Sequence, residues 1–273
     1  MDRLADGLPG AEGPCVTSDG RVFLVASGEG AVLALEPDGS VRRLAETGGI
    51  PAGLQLDRDG SLLVADMKLG ILRVRMDGGV TDVVREYGGA PIRGCNDLAF
   101  DSAGNLYFTA PAGSSLDDPR GEVFCLLADG RLLRLDHGYA FCNGLAVSSD
   151  DRLLVVAETR TKRLWAYDLT GPGKAGEPRL FATARGEHRG GPDGMDFDAE
   201  GHLLVANHGA GRIEVFGPSG ERIREIATPF DKPSNVHFAG PGSTRVLVTE
   251  HTENGLWRFD YGTAGQAQYG WNL

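Results

Sequence analysis

Glu12, Asn96, Asn143, Asp193 and Asn235 each open a short apolar run, and those runs resemble one another. Brought together, these side chains would offer oxygen donors and no nucleophile. Two carboxylates about 5 Å apart repel by about 3 kcal/mol at an effective dielectric near 20. Either one of them takes up a proton or a cation sits between them. Oxygen-only donors select a hard divalent ion, calcium first and then magnesium or manganese. Two carboxylates and one such ion sum to neutrality, and the amides complete the shell through their carbonyl oxygens. The alternative is that each Asn or Asp merely bonds nearby backbone in a turn. That suffices for a lone asparagine. It explains less well why Glu12 and Asp193 hold the same place in their repeats.

The elements that must bring them together are strands. In Gly191-Pro192-Asp193-Gly194-Met195-Asp196-Phe197-Asp198-Ala199-Glu200-Gly201-His202-Leu203-Leu204-Val205-Ala206, apolar residues alternate on both sides of a Gly-ending turn. That is the pattern of a hairpin with one buried face. The phrase returns from Pro51, Cys95 and Cys142, and more weakly from Pro14 and Ser234. Six copies of strand–turn–strand at intervals of roughly 40 to 50 residues predict an all-β, six-bladed β-propeller with four-stranded antiparallel blades. Residues 1–273 form one domain on this reading. Arg3-Leu4-Ala5-Asp6 is too short to stand alone and is expected to close the ring as the outermost strand of the last blade. In a propeller the innermost strands start around one end of a central channel, so the five entrance residues meet in space. Blade 2 offers only Pro51, Ala52 and Gly53 there. Residues 110–120 read as a surface loop of the kind that roofs binding sites. The tail from Thr263 fits no repeat.

The formal charge of −11, with no basic run, argues against nucleic acid and anionic membrane surfaces. No apolar run approaches the roughly 20 residues of a membrane span. Met1-Asp2-Arg3-Leu4-Ala5-Asp6 lacks the charged-then-apolar pattern of a signal peptide, so a cytoplasmic protein is expected. The four cysteines, Cys15, Cys95, Cys125 and Cys142, have no zinc-binding spacing and read as small buried thiols. A Cys95–Cys142 disulfide is disfavoured in a reducing compartment.

At these residues the chain resembles the SMP-30/gluconolactonase/LRE family of calcium-dependent six-bladed propellers. Glu12-Gly13-Pro14, Asn96-Asp97-Leu98, Asn143-Gly144-Leu145-Ala146, Pro192-Asp193-Gly194-Met195 and Ser234-Asn235-Val236 are similar to its signature entrances, in order, over nearly the whole chain. The resemblance implies that Glu12, Asn143 and Asp193 hold one divalent cation, calcium first, with zinc, manganese or magnesium as alternatives. It implies substrate contacts from Arg93 and Asn96, and Asp193 as general base. Cys15 replaces a common aromatic, and Ala110 replaces a common acid after Thr109.

The expected chemistry is opening of a small sugar lactone by water, with the cation polarising the ring carbonyl and Asp193 taking the proton. His188, in the loop before Asp193, is a candidate substrate contact, although each of the six histidines has a structural or surface role as its simpler reading. Ser114 and Ser115 lack a nucleophile-elbow context. Two alternatives stay open: a phosphotriesterase using the same cation, and a metal-stabilised propeller that binds a sugar acid or a protein without turnover.

Overall fold

A computed structural model of the chain describes residues 1–271. Six antiparallel sheets radiate from one axis as the blades of a propeller. Blade 1 runs Ala11–Val16, Val22–Ala26, Ala31–Leu35 and Val41–Glu46 from the axis outwards. The innermost strands of the other five blades are Pro51–Leu56, Leu98–Phe100, Cys142–Val147, Gly191–Phe197 and Pro233–Phe238. Each leads through a tight turn into the second strand of its blade. The glycines closing four of these turns, Gly20, Gly60, Gly104 and Gly201, have φ between 80° and 86°, and Asp151 takes the left-handed position in blade 4 with φ 57°.

The ring closes as its sequence predicts. Asp2–Ala5 pairs antiparallel with Gly255–Asp260, so the last blade consists of three strands from the end of the chain and one from its start. Blade 4 departs from four strands. Lys174–Ala175 adds a short fifth strand to Arg163–Gly171, beyond the Gly-Pro-Gly turn. The loop over residues 111–120 carries no strand, as expected.

Apolar side chains fill the wedges between blades. Val25, Val64 and Leu54 seal blades 1 and 2, and Val155, Met195 and Phe197 seal blades 4 and 5. Hydroxyls at the inner corners fasten three of the blades to the next. Thr109 Oγ1 donates to the Asn143 carbonyl at 2.7 Å, Thr159 Oγ1 to Pro192 at 2.8 Å, and Ser234 Oγ to Ala11 at 3.0 Å. These bonds hold the entrance residues, so they set the geometry of whatever assembles there.

The tail that no repeat explained runs across the far end of the channel. Gln266 Nε2 donates to the Val147 carbonyl at 2.8 Å, and Gln268 Nε2 to Asp196 Oδ1 at 3.0 Å. Trp271 Nε1 reaches the Val16 carbonyl at 2.6 Å. Tyr269 lies 4.6 Å from the Phe100 ring, with the Arg58 guanidinium 4.1 Å above its own. The tail thus ties blades 1, 3, 4 and 5 together beneath the axis. Tyr269→Ala is expected to cost about 2 kcal/mol of stability, or roughly 4–8 °C in melting temperature for a domain of this size. Thermal unfolding followed by circular dichroism checks this.

Candidate metal and substrate site at the channel mouth

The local device that aims the entrance residues inward is a one-residue bulge. Between Glu12 and Cys15, Pro51 and Gly53, Cys142 and Leu145, Pro192 and Met195, and Pro233 and Asn235, the register against the second strand slips. A bulge re-aims a side chain that a regular strand would point into an inter-blade wedge. The slot after the inward residue is Gly13, Gly144 and Gly194 in blades 1, 4 and 5, with Gly53 in the matching place in blade 2. A methyl at Gly13 would lie 2.7 Å from the Leu54 amide, and one at Gly53 would lie 2.6 Å from the Asn96 carbonyl. At Gly144 it would overlap the Asp193 carbonyl, and at Gly194 the Asn235 side chain. Glycine in this slot is what lets one blade's functional residue stand against the next.

The structure brings Glu12, Asn143, Asp193 and Asn235 together. Asn235 Nδ2 reaches Glu12 Oε2 at 3.4 Å. Asn143 bonds the Asp193 carboxylate and donates from Nδ2 to Thr159 Oγ1 at 3.0 Å. A fifth member is Asp97, which occupies in blade 3 the slot that is glycine in its neighbours. It is buried, accepts from the Leu98 amide at 2.8 Å, and bonds Asn235. Asn96 beside it is half-buried, and its amide nitrogen donates to the Thr109 carbonyl. Sequence reasoning named Asn96 and passed over Asp97, because the repeat marks that slot as backbone. An acid where the repeat demands glycine was the signal.

Burial and like charge dominate the electrostatics. Desolvation, with Glu12 nearby, pushes Asp97 up to about 8. Asp193 is raised well above the carboxylate range by burial first, then by Glu12 and Asp97. Among the described residues no arginine or lysine pairs with any of the three; the one base is His251, whose Nε2 lies 3.3 Å from Glu12 Oε1, poorly aligned for a hydrogen bond. Burial opposes the charged form of His251, but Glu12 outweighs it and the pKa rises. Three adjacent carboxyls with amide oxygens around them suit a hard divalent cation. No group of three or more His, Cys, Asp and Glu side chains forms a ready-made metal cluster among the described residues, so the donor set is a mixture of acid and amide.

A fourth carboxyl, Asp196, sits deeper in the channel. Asp196 is raised to about 7 by burial, although it accepts from the Phe197 and Phe238 amides. His237 Nδ1 lies 3.4 Å from it, and His237 Nε2 is buried with no hydrogen-bond partner among the described residues. This waist holds about 20 Å³ of space, enough for one water. A surface groove of about 590 Å³ lies at the turns around Asp19 and Glu36 and is lined by none of the channel carboxyls.

The raised acids give a pH prediction for the cation-free protein. A carboxyl whose folded pKa exceeds its unfolded value near 4 stabilises the fold below that value and loses this contribution as pH rises through the folded one. With Asp97 at about 8 and Asp196 at about 7, the melting temperature in chelator should fall between pH 5 and pH 8.5. Saturating calcium should flatten the profile. Scanning fluorimetry at both pH values, with and without calcium, tests this; a cation-free profile that rises over that window would contradict it.

On the rim, Arg93 is exposed and makes no ion pair among the described residues. His188 is tied back, its Nε2 lying 3.0 Å from Asn207 Oδ1, while Lys162 Nζ holds the His188 and Gly190 carbonyls at 2.7 and 2.6 Å. His208 and His251 meet edge to face with ring centres 5.4 Å apart. Neither was singled out from the sequence, because both stand where second strands leave their sheets. The four cysteines are free and buried, and burial pushes the thiols of Cys15, Cys95 and Cys125 up to about 12, so none is a nucleophile.

Fold and site together define a six-bladed propeller with an acid-and-amide centre at the mouth of its channel. The profile of the SMP-30/Gluconolactonase/LRE-like region matches residues 10–252, and the chain belongs to that family. It is 41% identical to diisopropyl-fluorophosphatase of Loligo vulgaris over 98% of this chain and 94% of that one. It is 29% identical to a gluconolactonase of Zymomonas mobilis, over 92% and 79% of the two chains. A solved gluconolactonase from Xanthomonas campestris superposes with a TM-score of 0.82 at 25% identity, covering 97% of this chain and 89% of the other. No helix among the described residues is long and apolar enough to cross a membrane.

Proposed function

We propose that the protein is a divalent-cation-dependent hydrolase that opens a small sugar lactone to its hydroxy acid. The observation that carries this reading is the convergence of Glu12, Asp97, Asn143, Asp193 and Asn235 in a buried site without arginine or lysine. Glu12, Asn143 and Asp193 would hold the cation, with calcium favoured by the all-oxygen donor set. When bound, the cation supplies Lewis-acid polarisation of the ester carbonyl and neutralises the acids. Asp193 accepts the proton of the attacking water, and Asn143 fixes the orientation of its carboxylate. His251, 3.3 Å from Glu12, stands beside that carboxylate as the one base at the site among the described residues. Arg93 and Asn96, on the loop into blade 3, contact the substrate and its developing negative oxygen. His188 contributes from the opposite rim, where Asn207 and Lys162 fix it. The tail lies across the far end of the channel, through Gln266, Gln268 and Trp271.

Likeness to the two gluconolactonases favours a lactone. A second reading, hydrolysis at a phosphoryl centre, draws on the 41% identity to diisopropyl-fluorophosphatase. The same base and the same polarised oxygen serve attack on phosphorus. Four unpaired buried thiols and the net charge of −11 support a cytoplasmic protein that acts on a small molecule and not on nucleic acid.

The test is hydrolysis followed by pH-stat over a panel of aldonolactones and over diisopropyl fluorophosphate. It is run before and after chelation and with calcium, zinc, manganese or magnesium restored. Cation-restored turnover of a sugar lactone at the higher kcat/KM is the expected result. A higher value for the phosphofluoridate replaces the first reading by the second. No turnover of either with any cation leaves a binding propeller.

A further inference from the structure

His208 ends the second strand of blade 5, Leu203–His208, and pairs across the sheet with Gly191. Leu204 and Ala206 on the same side of that strand pack with residues of blade 6. The His208 ring therefore emerges at the top of the wedge between blades 5 and 6, against His251, which itself touches Glu12. Its position is built. A methyl added at Gly190 would overlap the His208 carbonyl and lie 3.0 Å from its Nδ1, so the missing side chain there lets His208, backbone and ring together, stand against Gly190. His188 packs on Gly209 from the other side.

Three imidazoles thus form one wall of the mouth, and they are not equivalent. His188 is engaged by Asn207 and His251 by Glu12. The His208 ring makes no hydrogen bond to any described residue, yet it is only half exposed. Burial, then His251 and Lys232, push its pKa down to about 4, so at neutral pH it offers one N–H donor and one nitrogen acceptor and no charge. A neutral donor–acceptor pair suits a hydroxyl, which is also both donor and acceptor. It suits a carboxylate or phosphate poorly.

We propose that His208 is a specificity-determining residue that hydrogen-bonds a ring hydroxyl of an uncharged, polyhydroxylated substrate held over the channel carboxylates. The assignment rests on the lactone reading and narrows it to neutral sugar lactones. A site built to bond a hydroxyl discriminates against the analogue that lacks it, because the imidazole, half-shielded in the wedge, is then left unpaired once the ligand covers it.

The decisive measurement does not depend on turnover. Calorimetric binding to the calcium-loaded protein is compared for D-glucono-δ-lactam, a non-hydrolysed ring with hydroxyls, and δ-valerolactam, the same ring without them. The unsubstituted protein should bind the first at least about tenfold more tightly. H208F should lose about tenfold for the gluconolactam while valerolactam changes by less than about twofold, and H208Q should recover part of the preference. H208Q replaces H208F as the deciding variant if phenylalanine lowers the melting temperature. It then decides by rotamer reach, with a preference reduced at least threefold as the expected result. The proposal falls if the unsubstituted protein shows no preference, if the deciding variant keeps it in full, or if both lactams weaken together, which would make His208 a prop for His251. Lactone turnover without lactam preference removes the His208 assignment alone. Lactam preference without turnover of any lactone removes the hydrolase reading alone.

Discussion

Asp193→Asn should lower kcat/KM for the preferred lactone by about 10³-fold, equivalent to about 4 kcal/mol of transition-state stabilisation. The substitution keeps the shape of the side chain and its contact with Asn143, but removes the proton acceptor and one of the charges that face the cation. The same change should act in the opposite direction on the cation-free fold. Asp193 is buried against Glu12 and Asp97, so an uncharged amide there relieves repulsion. In chelator the variant should melt at or above the unsubstituted protein. Saturating calcium at about 100 times its Kd adds about 2.7 kcal/mol to a protein that binds it only when folded. That increment should shrink or vanish in the variant. A variant that keeps its full rate, or its full calcium-induced rise in melting temperature, removes Asp193 from both roles.

Gly144→Ala is the second large effect. The added methyl would overlap the Asp193 carbonyl and lie 2.7 Å from the Gly194 Cα, and both obstacles are backbone of the neighbouring blade. No side chain can swing aside, so blades 4 and 5 must part or the entrance must unwind. A loss of about 3 kcal/mol or more is expected, seen as a melting temperature lower by roughly 6–12 °C. Calcium affinity should fall with it, because the displaced atoms belong to Asp193, a proposed ligand, and to Gly194 beside it. Gly176→Ala is the control without a clash: like Gly144 it has no positive φ, and its added methyl would meet only the Asp168 carbonyl at 3.5 Å, an ordinary contact. Comparable losses at the two positions would show that crowding between blades contributes little.

Much of this architecture is legible in the chain. Alternating apolar residues around Gly-ended turns specify the hairpins, and their recurrence specifies the ring. Arg3–Asp6 could be assigned to the last blade because a closed ring must use its end. The entrance residues were legible because Glu12, Asn143 and Asp193 share a place in the repeat. What escaped follows from geometry that a linear pattern does not encode. Asp97 sits one residue beyond the named position, and a one-residue bulge decides which of two neighbours faces the axis. His208 and His251 leave their strands at the outer end, where periodicity stops, and meet only because blades 5 and 6 are adjacent. The tail from Thr263 lacks a period altogether; its order comes from single bonds to carbonyls of several blades, such as Gln266 to Val147.

The strand at the start of the chain has a consequence for biosynthesis. Asp2 pairs with Arg258, so a strand made early waits until about 250 further residues have been added before it finds its partner. Blades 1 to 5 are each contiguous and can form in order as they emerge, whereas the sixth cannot be completed until Gly255–Asp260 has been made. Contacts between such distant parts of a chain slow folding and expose unpaired edges in the interval. A nascent chain arrested before Gly255 should therefore hold five assembled blades and two open edges, prone to pairing with another chain. Emergence of Gly255–Asp260 converts that vulnerable arc into a ring at a single late step.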